Sequence, residues 1–223
     1  ENLQQTYWDL PIGDPQLISC SMAVPVITDF IHHNILAGGP GILPLNPGNN
    51  IITSDSKGKI VLINLGTIAH FTLLDKEVST VLIDSIVGPG TLLLDKEMSQ
   101  LNTTERFDRD GSIAAHGKVN SNCLDQLSSF DWFLKPAPKQ AIAPHFYELL
   151  NNELLRSLAP IDRIATLTAL TAKVLYEFYR REVPQSEKIS TVICSGGGAY
   201  NLTMMKFLST YFDPIPVKST EEL

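Results

Sequence analysis

The sequence has few cysteines and no long apolar run. Its 223 residues contain three cysteines, Cys20, Cys123 and Cys194, which are odd in number and far apart. This spacing predicts neither a disulfide framework nor a zinc cluster, and we expect three buried free thiols. The isolated histidines likewise predict no protein-held metal site. No segment approaches the ~18 apolar residues of a membrane helix, and the first residues do not resemble a signal peptide, so we expect a cytoplasmic protein without a membrane partner.

Charge is also scarce, and its balance is acidic. Charged residues make up 18% of the chain, and the formal net charge is −7. Such a chain has no general basic surface that would neutralise a phosphate backbone, so nucleic acid is not an expected partner. Hydrophobic residues make up 43% of the sequence, which is enough to form the core of one large domain or two small lobes.

Hydrophobic periodicity predicts an α/β fold. Runs rich in β-branched residues predict strands at 23–28, 59–65, 70–74, 80–86 and 189–194. Apolar spacings of three and four predict helices at 92–101, 119–133, 161–181 and 202–212. The short connection at 75–77 favours a hairpin, whereas the last strand is reached through helices. A mixed sheet flanked by helices follows.

The segment 38–57 differs in composition from what surrounds it. It holds three prolines, several glycines and asparagines, and few periodic apolar residues. This composition predicts a loop, and we place a lobe boundary near Gly58. The predicted regions are therefore 1–58 and 59–223.

Three glycine clusters stand out, at Gly38–Gly41, Gly88–Gly90 and Gly196–Gly198. Each follows a run with strand character, and the second and third directly precede a helical pattern. Backbone N–H groups and the helix dipole can hold phosphate at such a place. Glycine also serves ordinary tight turns, so any one cluster leaves both interpretations open. Neither the P-loop spacing nor the dinucleotide GxGxxG motif is present.

Several short blocks, taken in order, resemble motifs of the anhydro-N-acetylmuramic acid kinases. Residues 61–67, VLINLGT, are similar to VLNIGG; residues 88–95, GPGTLLLD, to GPGNxLxD; and residues 193–201, ICSGGGAYN, to VCGGGAxN. Residues 107–119 are similar to FDxDGxxAxxGxV. Looser similarities lie at 12–15, 28–30, 38–47 and 138–146. Agreement of this many blocks across nearly the whole chain is specific, although no single block is.

The resemblance implies an actin-like ATPase lobe of the ribonuclease H-like class, spanning 59–223, with 1–58 as the end of a second lobe. It implies ATP with Mg²⁺ as cofactor, an amino sugar as substrate and a homodimer as assembly. The implied phosphate contacts are Asn64, Gly66, Thr67, Gly88, Gly90 and Thr91. The implied nucleotide contacts are Gly196, Gly197, Gly198 and Asn201, and the implied substrate contacts are Asp29, His33 and Asn34.

The sequence departs from the family pattern where chemistry is expected. The family's general-base aspartate corresponds to Ile86, which cannot accept a proton. Asp84 lies on the same face of the strand but about 6 to 7 Å back along it, so it could substitute only if the strand slid by two residues. Ile31 and Asn34 replace a family Arg/Asp pair, and Thr67 replaces a glycine. No catalytic residue is therefore expected to be intact.

Relative to the family, the sequence also lacks the first phosphate turn and the final acidic helix. Phosphoryl transfer depends on positioning and charge neutralisation from both sides of a cleft. We therefore expect a fragment, or a lobe completed from elsewhere. Three hypotheses remain open: a sugar-kinase lobe that needs the absent segments, a catalytically silent binding or regulatory module, and a purely structural domain.

Overall fold

A computed structural model describes residues 12–38, 57–101, 105–139, 141 and 143–223, and only the backbone at Ile31 and Asn34. The chain divides into two compact units, Glu1–Gly48 and Asn49–Leu223. The predicted loop at 38–57 lies almost entirely outside the described residues, as does the rest of the first glycine cluster after Gly38. Whether 1–58 and 59–223 act as two lobes stays a prediction.

Within residues 12–38, the described part of the first unit, the chain forms two helices, α1 (Pro15–Met22) and α2 (Phe30–Leu36). Asp14 begins α1, because its carboxylate accepts a hydrogen bond from the Gln16 amide at 2.8 Å. The strand predicted at 23–28 is wrong, since these residues have no regular structure. Pro25 in this run lacks the N–H that a strand ladder needs.

Two further expectations fail in the first unit. Gly38 follows the helix α2 and not a strand. Cys20 is exposed on α1, because that short helix buries none of its described residues. The expectation of buried thiols is confirmed for Cys123 and Cys194.

The second unit is built on a five-stranded mixed sheet. Its strands are β1 (Lys59–Leu65), β2 (Ala69–Asp75), β3 (Thr80–Gly88), β4 (Ile189–Ser195) and β5 (Val217–Ser219), in the order β3-β2-β1-β4-β5. The β1–β2 and β2–β3 pairs are antiparallel, whereas β1–β4 and β4–β5 are parallel. The predicted mixed sheet and hairpin are confirmed. The strand β5 escaped prediction because three residues carry no measurable alternation.

Helices flank this sheet. They are α3 (Leu92–Met98), α4 (Ser112–His116), α5 (Ser121–Ser128), α6 (Asp131–Leu134), α7 (Glu153–Ser157), α8 (Pro160–Glu182) and α9 (Leu202–Phe212). The helices predicted at α3, α8 and α9 are confirmed, whereas the single helix predicted at 119–133 is two, α5 and α6. The chain breaks between them because Phe130 has an extended ψ of 124°. Among the described residues, no helix combines the length and apolar character of a membrane span.

The core lies between the sheet and α8. The predicted apolar stripe of α8 is buried from Ile164 to Phe178, and only Ile161 in the first turn is 43% exposed. The Phe178 ring lies edge-on to Phe71 of β2, with centroids 5.1 Å apart. Burying one such side chain contributes about 1.5–3 kcal/mol, so packing on the sheet, more than intrinsic propensity, stabilises α8.

A polar contact ties α8 to the turn after β3. The buried Thr171 hydroxyl donates a hydrogen bond to the Gly90 carbonyl at 2.8 Å. Buried hydroxyls need such a partner, and here the partner belongs to a predicted phosphate turn. The core helix therefore fixes the position of that turn.

Lys139 is a buried cation that packs against the C-terminal part of α8, with its ammonium 5.1 Å from the centre of the Phe178 ring. Its ammonium donates a hydrogen bond to the Phe133 carbonyl at 2.9 Å and lies 4.5 Å from the centre of the Trp132 ring. Burial, together with the neighbouring Arg181 and Lys135 charges, lowers the pKa of Lys139 to about 8. The folded state thus holds this proton less tightly than the unfolded chain does.

This difference predicts a pH dependence of stability. Between pH ~8 and ~10.5 the unfolded chain binds more protons at this group, so its contribution to the free energy of unfolding rises with pH. Lys139→Met keeps the length of the side chain and removes the titration. Between pH 7.5 and 10.5, the wild-type minus Lys139→Met difference in urea-derived unfolding free energy should shift by about 3 kcal/mol in favour of the wild type. A difference that stays constant over this range contradicts the prediction.

Candidate functional site

Three turns of the second unit meet around a cavity of about 620 Å³. The parallel strands β1 and β4 end at the same edge of the sheet, and the turn before α3 reaches that edge as well. Ligands of open α/β sheets commonly bind outside such strand ends. The cavity brings together six of the residues predicted as phosphate or nucleotide contacts: Gly66, Thr67, Thr91, Gly197, Gly198 and Asn201.

The four other predicted contacts, Asn64, Gly88, Gly90 and Gly196, do not line the cavity but lie in the strand ends and turns that form it. A Cβ on Gly196 would lie 2.9 Å from the Asn64 side-chain oxygen, so these two residues join the turns after β1 and β4. A Cβ on Gly88 would lie 3.1 Å from Val174 of α8. These glycines permit close approach of neighbouring segments.

Backbone hydrogen bonds join two of the turns directly. The Thr91 amide donates to the Gly66 carbonyl at 2.9 Å, and the Leu92 amide donates to the Thr67 carbonyl at 3.2 Å. The amides of Thr91, which precedes α3, and of Leu92, its first residue, are therefore already paired within the protein. The hydroxyl of Thr91, rather than its amide, is the group that this residue presents near the cavity.

The opposite wall comes from the segment Phe107–Asp110, which resembles the family's FDxDG block but is not among the predicted site residues. Asp108 is buried, and its two oxygens accept hydrogen bonds from the Ile113 and Ala114 amides at 2.8 and 3.0 Å. It therefore caps α4 and holds the wall in place. The signal that could have found this wall was the FDxDG block itself.

The wall packs closely against the turn that carries Asn201. Gly111 has a φ of +69°, and a Cβ there would lie 2.2 Å from the Asn201 side-chain oxygen. That oxygen accepts a hydrogen bond from the Met204 amide at 2.9 Å and caps α9. The oxygen of Asn201 is therefore committed to the fold, which leaves its amide N–H₂ for a ligand.

The cavity is electronegative in formal charge. Three carboxylates, Asp95, Asp108 and Asp110, line it together with one guanidinium, Arg109. Burial raises the pKa of Asp95, and a hydrogen bond of 2.8 Å from the Thr91 hydroxyl partly opposes this rise. Negative charge in the cavity disfavours a free polyphosphate and favours one that carries a cation.

Ile86, which the sequence resemblance assigns to a general-base position, lies on β3. Ile86 stands opposite His70 of β2, and Asp84 stands opposite Thr72. The Asp84 carboxylate accepts a hydrogen bond from the Thr72 hydroxyl at 2.8 Å and lies 3.6 Å from His70 Nε2. Neither Ile86 nor Asp84 lines the cavity. The observed register keeps Asp84 two residues away from Ile86, the predicted base position.

The predicted substrate contacts, Asp29, His33 and Asn34, belong to the first unit. Asp29 precedes α2 in a left-handed conformation with φ of 66°, and its carboxylate contacts the imidazole of His32. His33 is exposed on α2, and the side chain of Asn34 lies outside the described atoms. The substrate roles of these three residues stay predictions.

Comparison with known proteins gives concordant results. The profile of the anhydro-N-acetylmuramic acid kinase family matches residues 2–223. The anhydro-N-acetylmuramic acid kinase of Clostridioides difficile is 29% identical over 96% of this chain and 56% of its own length. The enzyme of the same name from Pseudomonas syringae pv. syringae is 33% identical over 96% of this chain and 58% of its own length.

A solved structure is similar in part. The activator of the 2-hydroxyisocaproyl-CoA dehydratase from Clostridium difficile aligns with a TM-score of 0.45 and 16% identity over 77% of this chain and 56% of its own. The chain spans little more than half the length of the curated relatives above. The match of the family profile over nearly the whole chain, together with these relatives, establishes that the chain belongs to the anhydro-N-acetylmuramic acid kinase family.

Proposed function

We propose that the second unit binds an adenine nucleotide together with Mg²⁺ in the 620 Å³ cavity. The observation that supports this most directly is the meeting of three glycine-containing turns at one sheet edge, in a chain of a kinase family. The volume is within the range of about 300–1,000 Å³ that small-molecule sites occupy. Binding of nucleotide would place its phosphates toward Gly66, Thr67 and Thr91 and its nucleoside toward Gly197, Gly198 and Asn201.

The residues of the cavity fit a magnesium ion. Mg²⁺ is held in such sites by one or two carboxylates, by water and by the phosphates of the nucleotide. Asp95 is suited to this role, because it lines the cavity and is hydrogen-bonded to Thr91. Bound Mg²⁺ would neutralise the phosphates and offset the burial of the Asp95 carboxylate. Among the described residues, no group of three or more His, Cys, Asp or Glu side chains is arranged to hold a metal ion.

For the whole protein we propose the reaction after which its relatives are named, transfer of phosphate from ATP to anhydro-N-acetylmuramic acid, in an impaired form. Ile86 occupies the general-base position, and its alkyl side chain can neither take a proton nor orient a water molecule. An alternative is a catalytically silent nucleotide- or partner-binding module of a larger protein. A homodimer and a cytoplasmic location are further proposals that rest on the family resemblance and on the sequence.

Thermal unfolding tests nucleotide binding. A ligand at 100 times its dissociation constant stabilises the folded state by about 2.7 kcal/mol, which raises the Tm of a domain this size by about 5 °C or more. We expect such a shift with ADP and Mg²⁺, and a much smaller one with ADP and a chelator. The smaller shift is expected because the excess of carboxylates in the cavity repels the phosphates of ADP when no Mg²⁺ is bound to them.

Gly197→Leu provides the matched control. A Cβ at Gly197 has no neighbour within 4 Å, so a larger side chain can extend into the cavity without straining the fold. The variant should keep the Tm of the ligand-free protein and lose the response to Mg-ADP. An absent response in the wild type, at millimolar ADP or ATP with Mg²⁺, would support the purely structural domain instead.

A further inference from the structure

A second cavity, of about 460 Å³, lies in the second unit and shares no lining residue with the first. It is formed by α3, the 3₁₀ segment Ala143–Asn151, α7 and the first turns of α8. The side chains that give it its chemical character are Lys96, Glu97, Tyr147, Leu150, Arg156 and Arg163.

Its charge has the opposite sign to that of the whole chain. Lys96, Arg156 and Arg163 are cationic, and Glu97 is the one carboxylate in the lining, whereas the chain carries a net charge of −7. Arg163 Nε lies 2.9 Å from the Glu97 carboxylate, so this pair is neutral overall. Among the described residues, neither Lys96 nor Arg156 forms an ion pair. Two positive charges therefore remain uncompensated in one concavity.

The buried pair leaves hydrogen-bond donors at the cavity. The Glu97 side chain is only 6% exposed. Glu97 Oε2 and Arg163 Nε lie 2.9 Å apart as an ion pair, although their orientation is not that of a hydrogen bond. A guanidinium has five N–H donors, so this contact through Nε leaves the four N–H groups of the two terminal nitrogens. An anion in the cavity would accept hydrogen bonds from these groups and from Arg156.

The remaining lining suits an organic body attached to that anion. Tyr147 and Leu150 contribute an aromatic and an aliphatic surface, and the Lys96 ammonium lies 5.9 Å from the centre of the Tyr147 ring. A phosphate monoester carries a charge of about −1.5 to −2 at neutral pH, which matches the two uncompensated cations. Planar guanidinium groups bind phosphate in bidentate fashion, which favours phosphate over a point-charge anion.

We propose that this cavity is a binding site for a small phosphate monoester, separate from the nucleotide cavity. The two cavities meet on one short helix, because Asp95 of α3 lines the first and the adjacent Lys96 and Glu97 line the second. A ligand in the second cavity would therefore contact α3, the helix whose N-terminal turn lies beside the first cavity.

The test titrates the full chain with inorganic phosphate, glycerol 3-phosphate, glycerol and acetate at constant ionic strength. Amide chemical shifts in heteronuclear NMR spectra locate the binding. Both phosphates should shift amides around Lys96, Tyr147, Arg156 and Arg163, whereas glycerol should not, and acetate should act only weakly. Shifts confined to Gly66, Thr67 and Gly197 would overturn the proposal, because they would assign phosphate to the nucleotide cavity alone. Equal responses to acetate would overturn the phosphate assignment.

A charge-matched pair of variants completes the test. Lys96→Gln combined with Arg156→Gln should weaken glycerol 3-phosphate binding by about tenfold or more, because both uncompensated cations are lost. Lys188→Gln combined with Lys206→Gln removes the same charge from exposed positions outside both cavities and should leave binding within about twofold of the wild type. Equal weakening by both pairs would indicate non-specific attraction and overturn the proposal. The wild-type NMR titration decides the question even if a variant fails to fold.

Discussion

Replacing Gly90 with alanine is expected to lower the free energy of unfolding by about 4 kcal/mol and to abolish the Tm response to Mg-ADP. An added Cβ at Gly90 would lie 2.1 Å from the Gly66 carbonyl oxygen and 2.9 Å from both the Thr67 oxygen and the Ala69 nitrogen. All three atoms belong to the backbone, so no side-chain rotation can relieve the overlap.

The conformation of Gly90 adds to this cost. Its φ is +50°, a left-handed value that costs a residue with a Cβ about 1–2 kcal/mol. The Thr91 and Leu92 amides pair with the turn after β1, and the Thr171 hydroxyl holds the Gly90 carbonyl, so the turn cannot move without breaking these bonds. Either the backbone of both turns shifts, or the protein is strongly destabilised. Both outcomes disturb the predicted phosphate turns.

Urea unfolding of Gly90→Ala beside Gly197→Ala measures the effect. Gly197 also lies in a glycine-containing turn, but a Cβ there has no neighbour within 4 Å and its φ is not left-handed. Gly197→Ala should therefore stay within about 1 kcal/mol of the wild type. Similar losses of unfolding free energy in the two variants would contradict the explanation that Gly90→Ala destabilises the protein because the two turns lie so close together.

The second prediction concerns Ile86. We expect the protein at its full native length, supplied with ATP, Mg²⁺ and the anhydro-sugar, to release ADP at least about 100-fold more slowly than the C. difficile relative, because general-base catalysis contributes about 10²–10⁴-fold. Ile86→Asp should raise this rate. The measurement is a coupled assay of ADP release with the purified proteins side by side.

The substitution also has a cost in stability that must be separated from its effect on rate. Ile86 is half-buried and packs against the main core, so a carboxylate there should destabilise the protein by about 1–3 kcal/mol. Ile86→Asn has a similar shape and cost but offers no base. A rate increase in Ile86→Asp alone supports the proposal, whereas equal rates in both variants would show that Ile86 is not the group that limits transfer.

Asp84 provides an internal check on the same proposal. Its hydrogen bond to Thr72 and its place opposite that residue keep it away from the cavity. Asp84→Asn should therefore leave any residual turnover unchanged. A further loss of turnover in Asp84→Asn would mean that Asp84 serves as the base despite this register, and would contradict the role assigned to Ile86.

Much of the fold was predictable from local pattern. The continuous apolar run of β1 is buried on both faces of the sheet, and the long apolar stripe of α8 is buried against one of them; the sequence displays both patterns directly. The short elements α4, α7 and β5 were not predicted, because each has only three to five residues. That is less than two helical turns, or less than two apolar/polar alternations of a strand, so no periodicity can be recognised. The prediction of a strand at 23–28 was wrong because it followed the apolar composition of this segment and gave too little weight to Pro25, whose missing N–H disfavours a strand.

The sequence by itself determined the family, the mixed sheet and the glycine-rich turns, because these depend on residue identity and local spacing. Only the tertiary structure decided which residues share a cavity. It brought Phe107–Asp110 across to Gly66 and Gly198, committed the Asn201 oxygen to capping α9, and placed Lys96 beside Arg156 and Arg163. Such contacts join residues that are far apart in the chain, and their distances are set by packing of helices on the sheet, which no local pattern records.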